Sequence, residues 1–157
     1  MTVAEADKIV MRLVGEDDFH HVGDILKAYY GMAQKQIATT VCPIEKSTPL
    51  FAGEETELPA DLYRIKRLNC DYTRNGRLIT AKEDTVLTYY AYPADVVSDD
   101  YEFEIDPVSH SALPFYAAAQ LVLADSDMRR YTVFMDSYNF ILSNIASGTP
   151  TARVVEV

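Results

Sequence analysis

The sequence has little of what staples a small fold. Its two cysteines, Cys42 and Cys70, lie far apart, with no C-x-x-C and no histidine at metal-ligand spacing. That excludes a disulfide framework and a zinc knuckle, and both are expected as reduced, half-buried or buried thiols. No apolar run approaches the ~20 residues of a membrane span, so no membrane partner is expected. The start, MTVAEAD, has neither a basic n-region nor an apolar h-region and does not read as a signal peptide. A soluble product made in the cytoplasm is expected.

Positive charge is scarce too. Lys and Arg total 14 against 24 Asp and Glu, a net charge of −10. The deficit is concentrated between residues 43 and 105, where 7 basic side chains meet 13 acidic ones. Tight nucleic-acid binding needs clustered cations to release counterions. The basic cluster here, Arg64, Lys66 and Arg67 with Arg74 and Arg77, is ringed by acids. Sequence-specific DNA binding is therefore not expected of it.

Chemistry is missing as well. There is no GxGxxG, GxxxxGK[ST], GxSxG or HExxH, so no cofactor is implied. His20 and Asp24, four apart, could share a helix face with a metal, but adjacent His20 and His21 point about 100° apart. His110 is the remaining histidine. A small metal-dependent enzyme on His20, His21, Asp24 and His110 stays an alternative, as does a monomeric cytosolic binding module. The acidic run Asp99, Asp100, Glu102, Glu104 and Asp106 lacks the glycine and spacing of an EF-hand. The expectation is a non-enzyme with no metal site.

What is present is patterning over 157 residues, one domain's length. Thr2-x-x-Glu5 fits a capping box, and Ala6, Ile9, Val10, Leu13 and Val14 share a face that stops at Gly15. Glu16-Asp17-Asp18 suggests a second helix start, running to Thr39 or Thr40 before Pro43. Residues 44–60 read as a long irregular connection. Leu62–Leu68 and Thr85–Tyr92 read as strands, and Asn75-Gly76 as a hairpin turn between Cys70–Arg74 and Arg77–Ala81. Tyr101–Ile105 alternates apolar and acidic, as a short edge strand or extended segment does. Asp106-Pro107 opens a helical stretch that Pro114 should kink, and Asp125-Ser126-Asp127 restarts it. Gly148 and Pro150 end the last helix.

The expected class is α+β in a single domain: helices in 1–42, a β-rich antiparallel insertion in 43–105, helices in 106–147, and an extended tail in 148–157. The N- and C-terminal helix pairs are expected to form a four-helix core, because amphipathic helices must bury their stripes against one another. Eleven tyrosines, several paired as in Tyr29-Tyr30 and Tyr89-Tyr90, leave some facing outward and favour subunit contacts.

LPADLYRIKRL (58–68), TYYAYP (88–93), DDYEFEIDPVSHSALPFYAAAQLVLAD (99–125) and YTVFMDSYNFIL (131–142) come in an order that carries a likeness. Over about half its length the chain resembles the head–tail adaptor (connector or neck) proteins of tailed bacteriophages. The resemblance implies a structural virion protein that forms a homo-oligomeric ring of about twelve copies. Such a ring would bind the portal protein, meet a tail or neck protein below, and surround passing DNA without reading its sequence. It also implies contact through a terminal extension, for which 149–157, with Arg153, Val154, Val155 and Val157, is the candidate. In such a ring the basic cluster of Arg64, Lys66, Arg67, Arg74 and Arg77 is expected to meet acidic neighbouring subunits rather than DNA.

Overall fold

The computed structural model describes residues 1–15 and 22–148, and the protein is α+β. Helix α1, Val3–Val14, opens on the expected capping box: Glu5 N–H donates to Thr2 Oγ1 and Thr2 N–H to the Glu5 carboxylate. Gly15, at φ 77°, closes it in the left-handed conformation that glycine adopts without a Cβ penalty. Helix α2, Gly23–Thr40, ends where Pro43 required. Its expected start at Glu16–Asp18 lies outside the described residues.

Asp106 accepts from Val108 N–H and opens a 3-10 turn, Pro107–Ser109, before helix α3, Ala112–Ala124. Pro114 is thus the third residue of α3. Amides of the first turn have no intrahelical acceptor, so proline needs no kink there, contrary to the expectation. The break at Asp125–Asp127 is as read: Ser126 turns at φ 62°, and the Asp127 carboxylate caps helix α4, Met128–Ser147.

Helix α3 is apolar on most sides and packs against α1, α2 and α4. Alanines 112, 117, 118 and 119 are buried along it and allow close approach. Buried residues of all four helices form one cluster. Val96, Phe103 and Ile105, from the segment after the strands, complete it.

Within this cluster the Tyr30 hydroxyl donates to Asp7 Oδ1 at 2.8 Å. Burial raises the Asp7 carboxyl above its ordinary value, more than the Tyr30 hydrogen bond lowers it, and burial also pushes the Tyr30 phenol up. A carboxyl with a raised folded-state pKa costs stability once pH passes its unfolded value, so the cost is small in acid and full at neutrality. Asp7→Asn keeps an acceptor for Tyr30. Thermal melts should show no gain near pH 3 and a gain of about 2–4 °C at pH 7.

Six strands fill the insertion in two antiparallel sheets. One has the order β1 (Ile44–Leu50), β6 (Thr85–Ala91), β3 (Leu62–Arg67); the other β2 (Glu55–Glu57), β5 (Leu78–Ala81), β4 (Tyr72–Asn75). The irregular connection expected over 44–60 is therefore corrected to two strands. Pro49 masked β1, yet β1 is an edge strand paired to β6 alone, where a missing N–H is tolerated. The β4–β5 hairpin forms, but its two-residue loop is Gly76-Arg77, and positive φ falls on Gly76 alone. Leu50, Leu58, Ile79, Ala81, Leu87, Tyr89 and Ala91 form a second cluster, and Ile44 touches both clusters.

Candidate contact surface

The alternation of β1 sends Ile44, Lys46, Thr48 and Leu50 toward the second cluster and Glu45, Ser47 and Pro49 outward. Register carries the outward face to Tyr90, Thr88 and Val86 on β6. Strand β3 departs from plain alternation, with register shifts between Leu62 and Arg64 and again between Ile65 and Arg67. A bulge sets two consecutive residues against one partner position. Leu62 and Ile65 therefore point to the cluster, while Tyr63 with Arg64, and Lys66 with Arg67, turn outward.

The outer face so built is a row of tyrosines overlaid by cations. Tyr63 stacks near Tyr90 at 6.2 Å and Tyr92 at 5.0 Å between ring centroids. The Arg64 guanidinium sits 4.8 Å and the Lys66 ammonium 5.7 Å from the Tyr90 centroid, and Lys35 of α2 lies 5.0 Å over Tyr92. Each such contact contributes about 0.5–1 kcal/mol at an exposed site. Glu45 pairs with Lys66 and holds its ammonium above the usual range. The Tyr63 hydroxyl donates to Ala38 O at 3.3 Å and ties the face to α2.

The sequence-level basic cluster is thus divided. Arg64, Lys66 and Arg67 share the outer face. Arg74 and Arg77 belong to the other sheet's hairpin and donate to backbone carbonyls: exposed Arg74 to Gly76 O within its own turn, Arg77 to Leu58 O and Pro59 O at 2.9 and 2.7 Å. Arg153, Val154, Val155 and Val157 lie outside the described residues. Lys35 and Tyr63 escaped sequence reading, because neither the α2 contact nor the bulges leave a local signal.

His20 and His21 also lie outside the described residues. Asp24 is solvent-exposed in the first turn of α2, 3.7 Å from Lys27. His110 is buried, with Nε2 2.9 Å from Ile105 O, Nδ1 3.3 Å from the Met1 nitrogen and its ring edge-on to Phe103. Both ring nitrogens therefore serve packing. Among the described residues no three His, Cys, Asp or Glu side chains gather around a metal position, and no helix is long and apolar enough to cross a membrane. Cys42 and Cys70 are free and half-buried, as expected. An open, apolar cleft of about 460 Å³ lies between Cys42-Pro43, Val108 and the last turn of α4. Its carboxylate, Asp106, is engaged by Val108 N–H.

Compared with protein-family models and with curated proteins, the chain has no match in either.

Proposed function

We propose that the chain is a non-enzymatic structural subunit of a phage head–tail junction, an adaptor that assembles as a ring on the portal vertex and joins the capsid to the tail around the DNA channel. The observation that carries the proposal is the outer sheet face: three tyrosines and three overlying cations, positioned by strand register and bulges, with Lys35, Arg64, Lys66 and Tyr92 exposed and Tyr63 and Tyr90 half-buried. Tyrosine and arginine are enriched in interface cores, where rigid amphipathic rings bury area at low entropy cost. The acidic balance suits a channel subunit, because carboxylates repel phosphates over roughly 8 Å at physiological salt.

Electron microscopy of the chain mixed with its cognate portal protein should show rings seated on the portal. Persistent monomers without portal affinity would sink the proposal. Deleting residues 149–157 is expected to shift the melting temperature by less than about 2 °C, as truncation of a few terminal residues commonly does. The same deletion should weaken assembly on the portal. Unchanged assembly would retire the role given to Arg153, Val154, Val155 and Val157.

A further inference from the structure

The far end of the β-region is the complement of the outer sheet face. β1 leaves the helical body at Ile44 and β6 returns to it at Ala91, so the Leu50–Thr85 pair is the distant end, about 20 Å away at strand rise. There the chain turns a corner through residues 51–54. The corner is fixed by its own hydrogen bonds: Ala52 N–H donates to Asp84 Oδ1 at 2.8 Å, Gly53 N–H to Ala81 O at 2.9 Å, and Glu54 N–H to Phe51 O at 3.2 Å. Gly53 sits at φ +74°, where a side chain would be strained. The corner holds Phe51 outward, 56% exposed, among the exposed carboxylates of Glu54, Glu55, Glu83 and Asp84.

A hydrogen-bonded corner with an exposed aromatic side chain and an excess of carboxylates, Glu54, Glu55, Glu83 and Asp84 against Lys82, thus lies at one end of the β-region. A row of tyrosines rimmed by Lys35, Arg64, Lys66 and Arg67 lies toward the other end. We infer that the occupant of the tyrosine face is a second copy of this chain, whose Phe51 corner docks there head to tail. Because the two surfaces differ, the contact is heterologous, and repetition of it gives a ring if the rotation closes and a filament if it does not. The inference rests on the ring reading above and names the contact that would build the ring. Opposite potentials fix the register and the direction of docking.

A charge exchange tests it. One full-length variant carries Arg64→Glu, Lys66→Glu and Arg67→Glu, leaving Lys35 as the face's single cation, so both of its surfaces are acidic. The other carries Glu54→Lys, Glu55→Lys and Glu83→Lys, leaving Asp84 as the tip's single carboxylate, so both of its surfaces are basic. Sedimentation at up to millimolar protein and low salt should show the parent associating and each variant alone roughly tenfold weaker or worse, as like-charge juxtaposition suppresses association. An equimolar mixture should associate as the parent does, since each tip then meets an opposite face. Phe51→Ser should weaken association without changing its salt dependence. Circular dichroism melts matching the parent show that the variants are folded.

A parent that stays monomeric throughout, variants that associate like the parent, or a mixture no better than its components would each overturn the inference. So would a single-stranded oligonucleotide bound at Arg64 and Lys66 in place of a second copy. Rings on the portal that ignore the exchange sink this contact and leave the adaptor reading standing. Exchange-dependent association without portal affinity keeps the contact and sinks the adaptor reading.

Discussion

Phe103→Ala is expected to cost about 3–5 kcal/mol of folding stability, the range for emptying a buried aromatic site. Phe103 is 5% exposed and meets three rings edge-on: Tyr30 at 5.6 Å, Tyr101 at 6.0 Å and His110 at 5.9 Å. Its surroundings make the upper half of that range the expectation. The segment from Ala94 to Ile105 has little regular structure and is held by a few contacts. Buried Gln34 of α2 donates to the Tyr101 hydroxyl at 3.1 Å and accepts from Glu104 N–H at 2.7 Å. The segment in turn serves α1, whose first two amides, Val3 and Ala4, donate to Tyr101 O and Asp99 O. Those amides have no partner inside their own helix. Loosening Phe103 therefore also uncaps α1. Urea denaturation should give the loss directly, with a melting temperature lowered by roughly 10 °C. Phe103→Leu, which keeps most of the volume, should cost about 1.5 kcal/mol. A loss below about 1 kcal/mol for alanine would show that the segment lies on the core rather than in it.

This segment also marks where sequence reading stops. The alternation of Tyr101, Phe103 and Ile105 with Glu102 and Glu104 is real: the odd residues turn inward and the acids outward. Alternation specifies two faces but not what lies against them. Here it is the helical cluster, with a single bridge, Thr2 to Glu102, in place of a sheet. Helix ends were legible because their signals are local: the Thr2–Glu5 box, Gly15 and the Asp127 cap all act within four residues. Strand β1 was hidden because Pro49 argues against a strand until its edge position is known. The contact face was half legible. Outward tyrosines and a basic cluster were visible in the sequence. The bulges of β3, which turn Tyr63, Arg64, Lys66 and Arg67 to one side, follow from pairing with β6 and leave no periodic trace.

Leu87→Ala, in the other cluster, is expected to separate assembly from the helical fold. Leu87 is fully buried on the central strand β6, opposite Thr48, and packs with Leu50, Ile79 and Tyr89 between the two sheets. Truncation should cost about 2–5 kcal/mol. The two clusters are distinct, and Ile44 is the residue common to their margins. Distinct clusters open as separate cooperative units, so the loss should fall mainly on the sheets. Hydrogen exchange should then show amides of β1, β3 and β6 faster by roughly a hundredfold for each 3 kcal/mol, while those of α3 keep their protection. Equal acceleration in α3 would mean that Ile44 couples the clusters into one unit. The tyrosine face depends on β6 to present Tyr90 and on β3 pairing to present Arg64. An opened sheet presents neither in register, and its Phe51 corner loses the anchor that Asp84 provides. The variant should therefore fail to assemble at temperatures where its helices remain folded. If it assembles as the parent does, the contacts that build the assembly lie on the helices, with exposed Phe140 and Val133 the first place to look.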